Sequence, residues 1–94
     1  NQDMDNDAGT IAALMIRFKQ YRLPRAMRML DRVNAGETLM DNDIAFLKRV
    51  FNDARANQQL VKRNPDYSEL VSRALSLYEE IIEKATENEK AKKS

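Results

Sequence analysis

The chain has 94 residues, 43% of them hydrophobic, with no cysteine and no histidine, and 16 Lys and Arg set against 15 Asp and Glu leave a formal charge of +1. That length supports one domain with a modest core, and the missing cysteines rule out disulfides and thiolate metal sites. Without histidine or cysteine the commonest general base, nucleophile pair and transition-metal ligands are gone as well, so the sequence predicts no enzyme, no cofactor and no bound metal.

Only two glycines and two prolines occur, while Ala, Leu, Arg, Lys, Glu and Met are plentiful, which is the composition of helices. The expected fold class is all-α, a small antiparallel helical bundle of three to four helices. No apolar run approaches the roughly 20 residues of a membrane span, and the longest, IAALMI at residues 11–16, follows an acidic stretch, unlike a signal peptide. With the absence of cysteine this points to a cytoplasmic protein without a membrane partner. Position 1 is Asn rather than Met, which fits a processed product, a domain cut from a longer chain, or a natural start at Met4.

Residues 1–9, NQDMDNDAG, are polar and acidic without periodicity and read as a flexible lead-in, leaving a single helical-bundle domain over residues 10–91. Thr10 is the expected N-cap of a first helix with Ile11, Leu14, Met15 and Phe18 on one face. Pro24 then either breaks this helix or kinks it, because it lacks an amide hydrogen and disfavours helical dihedrals at Leu23; the spacing leans toward a break. The next segment places Leu23, Ala26, Met27, Leu30 and Val33 on its inner face and ends at Ala35-Gly36, where glycine supplies a left-handed residue. Leu39 and Met40 plug the following turn, and Asp41 is the expected cap of a helix over residues 42–63, with Asn42 and Asp43 in a first turn that favours negative charge. Its apolar pattern, Ile44, Leu47, Val50 and Phe51, thins at NDARANQQ.

RNPD at residues 63–66 ends that helix and starts another, with Asn64 as cap and Pro65 at the first position. From Tyr67 to Ala85 the apolar residues repeat at three and four for five turns, a stripe suited to a bundle core, before a lysine-rich tail that reads as fraying. The last two helices form a long hairpin across which the first rod lies.

The motifs that carry chemistry are missing. Asp3, Asp5, Asp7 and Gly9 alternate as in a calcium loop, but no glutamate follows until Glu37. Gly9 and Gly36 stand alone, so there is no phosphate loop. Ser68, Ser72 and Ser76 run at four-residue spacing along a polar flank, which is ordinary.

Two features point to binding. Residues 17–32 hold six basic residues against one acid, and Arg22, Arg25, Arg28 and Arg32 are spaced to line one side of a helix. All five methionines fall in the first forty residues, and Met29, with Ile16 and Phe46, is displaced from the expected inner faces. A surface with an apolar centre and a basic rim is a form suited to protein binding. The predicted function is therefore a non-catalytic protein–protein interaction module, as a homo-oligomer or as part of a larger assembly. Its candidate surface is Ile16, Arg22, Arg25, Arg28, Met29, Arg32 and Phe46. The alternative is accessory nucleic-acid binding through residues 17–32, though the pI of about 8.2 is modest for that role. No small-molecule ligand is expected.

Overall fold

The computed structural model describes the backbone of residues 2–93 and the side chains of residues 6–93. The described chain is all-α: α1 (Gln2–Arg17), a π-helical turn (Phe18–Arg22), α2 (Leu23–Asn34), α3 (Asp41–Ala56), α4 (Gln58–Arg63) and α5 (Pro65–Lys93). These pieces form three rods, residues 2–34, 41–63 and 65–93. The molecule measures 58 × 21 × 20 Å. Asp7 meets Arg63 and Asn64 at one end, and Asn88 meets Val33 and Glu37 at the other. The first and third rods thus run parallel, with the middle rod antiparallel to both.

The first rod departs from expectation twice. Its helix already includes Gly9 and Thr10, so Thr10 is not an N-cap. Part of the acidic lead-in is therefore helical, while Asn1 and the side chains of Asp3, Met4 and Asp5 lie outside the described residues. At Pro24 the chain does not break. Instead it widens into a π-turn, in which the Leu23 amide donates to the Phe18 carbonyl. In a regular helix the proline ring would press on the carbonyl four residues back, and one wide turn before it relieves that clash while keeping the rod continuous.

Gly36 ends α2 at φ +94°. The Glu37 amide donates to the Arg32 carbonyl and the Gly36 amide to the Val33 carbonyl, the paired bonds of a Schellman motif that only glycine enters without strain. Asn88 adds two side-chain bonds, to the Val33 and Glu37 carbonyls, at 2.8 Å each. That anchor lies within a helix that runs past Ala85 to Lys93.

At the start of α3 the cap residue is Met40, not Asp41. The Asp43 carboxylate accepts the Met40 amide at 2.9 Å, the reciprocal half of a capping box. The second rod is interrupted at Asn57, inside the polar stretch where the apolar pattern thins. There the Asn57 side chain donates to the Asp53 carbonyl at 2.8 Å. Pro65 opens α5 as expected, but the Asn64 side chain donates back to the Leu60 carbonyl and to Asp7 rather than capping forward.

The core is concentrated in the half of the bundle built from α2, α3 and the later turns of α5. Ala26, Met29 and Val33 pack with Phe46, Leu47 and Val50 and with Tyr78, Ile81 and Ala85. Tyr78 is held between Phe46 and Phe51, both edge-on with centroids 6.1 Å away, a geometry that adds to burial. Met29 is 1% exposed and Met27 45%, the reverse of the expected assignment. Ala26, Met29, Leu30 and Val33 satisfy three- and four-residue spacing as well as the set containing Met27 does. The helix takes the rotation that turns Arg25 and Arg32 toward α3.

Candidate functional site

The predicted arginine strip lies along the seam between α2 and α3, and three of its four members point into the chain. Arg22 pairs with Asp53. Arg25 donates to the Asn42 carbonyl at 3.0 Å, stands 3.6 Å from Asp43, and lays its guanidinium 4.6 Å from the centre of the Phe46 ring, a cation–π contact. Arg32 donates to Asp43 at 2.9 Å. Arg28 is exposed.

Asp43 is the centre of this seam. Its side chain is 3% exposed and serves two guanidiniums and one backbone amide. Burial pushes its pKa up, but the Met40 amide, the Arg32 hydrogen bond and the two positive charges outweigh that effect and hold it below the ordinary carboxylate value. The arrangement is a structural lock that joins α2 to the start of α3.

The apolar members of the predicted surface separate. Met29 and Phe46 are core residues, at 1% and 5% exposure, while Ile16 is open at 57%. The expected patch of the three beside the arginines is therefore not assembled. Phe46 is displaced from the inner face of a simple stripe because it reaches under Arg25 and against Tyr78.

An apolar surface with a basic edge does exist, next to the Arg22 end of the seam. No described residue of α1 is buried. Leu14, Met15 and Phe18 face Tyr67, Leu70 and Val71 across a cleft of about 90 Å³, with Arg17 and the Arg22–Asp53 pair at its border. It adjoins an open groove of about 410 Å³ lined by Ile11, Met15, Pro65, Tyr67 and Leu70. Burial raises the Tyr67 pKa, and the nearby positive charge of Arg22 opposes the shift.

At the far end α1 is clasped by Asp7, whose two carboxylate oxygens each take a bond from Arg63 at 2.9 Å, with Asn64 adding one at 3.2 Å. The Arg63 hydrogen bond, working against some desolvation, holds the Asp7 carboxyl below its ordinary value. No protein family, characterised protein or solved structure matches the chain.

Asp7, Asp43, Asp53 and Arg63 were not among the predicted site residues. Asp43 carried a visible role as a first-turn acid, but nothing local marks it as the partner of two arginines. Asp7 and Arg63 lie 56 positions apart, and no periodicity links them.

Proposed function

We propose that the protein is a non-catalytic interaction module that associates with a second copy of itself through the cleft in its N-terminal half. The observation that carries this reading is the unequal packing of the bundle. Ala26, Met29, Val33, Phe46 and Ile81 are closed into the core, whereas Leu14, Met15, Phe18, Tyr67 and Leu70 stay only half-buried around a cleft that reaches in to Val50 and Tyr78. An apolar gap of about 90 Å³ costs the closed chain on the order of 2 kcal/mol at ~24 cal/mol per Å³, which leaves α1 weakly seated. The enclosed volume is well below the several hundred Å³ typical of small-molecule sites, and the adjoining groove is open rather than enclosing.

A second copy is the favoured partner because the net charge of +1 leaves little repulsion between identical chains. The apolar centre bordered by arginines is also the composition found where proteins meet. A chain that relies on no disulfide suits the reducing cytoplasm. Three of the four strip arginines are engaged with groups of the same chain, which supports protein association over phosphate binding.

Sedimentation velocity across a wide concentration range tests this reading. The expected result is a concentration-dependent dimer that Met15→Glu abolishes and Met27→Glu, outside the cleft, leaves intact. A strict monomer at every concentration overturns it.

A further inference from the structure

The cleft also carries an inference about how the two copies meet, which rests on the self-association just proposed. α1 is the least anchored of the long helices: none of its described residues is buried, whereas α2, α3 and α5 each bury three or more. Among the described residues its hold on the bundle rests on Ile11, Leu14 and Met15, with Phe18 at its base, facing Tyr67, Leu70 and Val71, and on the Asp7 clasp on Arg63 and Asn64. Its root is the π-turn ahead of Pro24, where the regular hydrogen-bond ladder is already interrupted. A helix with few buried contacts and an interruption at its base opens as a unit well before the whole fold does.

Once α1 lifts, its apolar face and the floor it covers are both unpartnered. The one helix shown to match that floor is α1, and every second copy carries one. We propose that α1 is a hinged arm exchanged between two copies: it pivots at Phe18–Arg22, seats on Tyr67, Leu70 and Val71 of the second copy, and remakes the Asp7–Arg63 clasp between chains. Such an exchange needs no new chemistry, because every contact in the dimer is one the closed chain already makes.

Charge exchange at the clasp tests this on the full chain. Asp7→Arg in one preparation and Arg63→Asp in another each set like charges against one another within a chain, and only arm exchange between the two preparations brings opposite charges together. A chain carrying both substitutions keeps opposite charges in place and controls for folding. The expected result is that the two single variants, mixed, form a one-to-one heterodimer severalfold tighter than either forms alone. No preference for the mixed species, with both variants helical by circular dichroism, overturns the exchange.

If the wild type still dimerises in that case, self-association stands and only the arm exchange falls; if nothing associates, both fall. Hydrogen exchange of the wild type gives a second reading that does not depend on the variants. The amides of α1 should exchange together and severalfold faster than those around Ala26 and Met29 or Tyr78 and Ile81. Equal protection of α1 and α2 overturns the hinge.

Discussion

Asp43→Asn is the sharpest test of how the fold is held. Asn keeps the size of the side chain and an oxygen for the Met40 amide, but removes the charge that faces Arg32 at 2.9 Å and Arg25 at 3.6 Å. A hydrogen bond to a charged group contributes about 1.5–3 kcal/mol. The more distant Arg25 adds less, and both arginine side chains are 29% exposed, so water takes up part of the loss. The expected cost is about 2–3 kcal/mol. Asp43→Ala adds about 1 kcal/mol more, because the Met40 amide at the helix start then loses its acceptor.

Against a total of roughly 5–14 kcal/mol for a chain of this length, such losses are large. At about 4–8 °C per kcal/mol, Asp43→Asn should lower the melting temperature by about 8–24 °C. Urea denaturation followed by far-ultraviolet circular dichroism measures the cost directly. A double-mutant cycle with Arg32→Gln should return a coupling of about 1–2 kcal/mol. The parallel cycle of Asp53→Asn with Arg22→Gln should return less than about 1 kcal/mol, since Asp53 is 49% exposed. If Asp43→Asn costs no more than Asp53→Asn, the lock assigned to Asp43 is wrong.

The pH dependence of stability follows from the same groups. Asp7 and Asp43 have pKa values below those of the unfolded chain, so their stabilisation is present above the ordinary carboxylate range and is lost as pH falls through the folded values. Tyr67 and Tyr78 are raised by burial, against the opposing charge of Arg22, so their stabilisation holds below the ordinary phenol range near 10 and is lost as pH rises through the folded values. With no histidine, unfolding free energy should be flat between about pH 5 and 9, and a clear slope near pH 6.5 would contradict this assignment. For nucleic acid, Arg28→Glu is the clean probe, because Arg28 is exposed while Arg25→Glu would set a second carboxylate against Asp43. Low-salt gel shift with mixed RNA and DNA should show no binding for Arg28→Glu or for the wild type, and salt-sensitive binding that Arg28→Glu weakens would favour the alternative reading.

Features set by neighbouring residues were legible in the sequence. Gly36 closes α2 and Pro65 opens α5 because their backbone demands are local, and the long stripe of α5 needs only its own period. Features set by distant residues were not. α1 continues through Gly9, despite a helix cost of about 1 kcal/mol there, and Asp7 two residues before is tied to Arg63 across 56 positions. The choice between Met27 and Met29 depends on rotation about an axis that the apolar spacing leaves open by one residue. That rotation is settled by carboxylates on another helix, Asp43 and Asp53. At Pro24 the rod takes the continuous alternative rather than the break, through a π-turn that apolar spacing does not reveal.

The same long-range contacts explain why the candidate surface moved. An arginine strip and displaced large apolar groups are the residues that bind partners, and also those with which a small bundle without disulfides fastens its own helices. Here the acids decide between the two uses. Where α3 presents Asp43 and Asp53, the arginines turn inward, Phe46 fills the space beneath Arg25, and the surface closes. Further along the rod, Arg17 borders a cleft whose apolar lining, Leu14, Met15, Tyr67 and Leu70 among it, stays half-buried. Substitutions should divide along that line: changes at Asp43, Arg32 or Met29 should alter stability, while changes at Met15 or Asp7 should alter association. A substitution at Met15 that destabilised the chain as much as one at Met29 would show that the two halves are a single cooperative core.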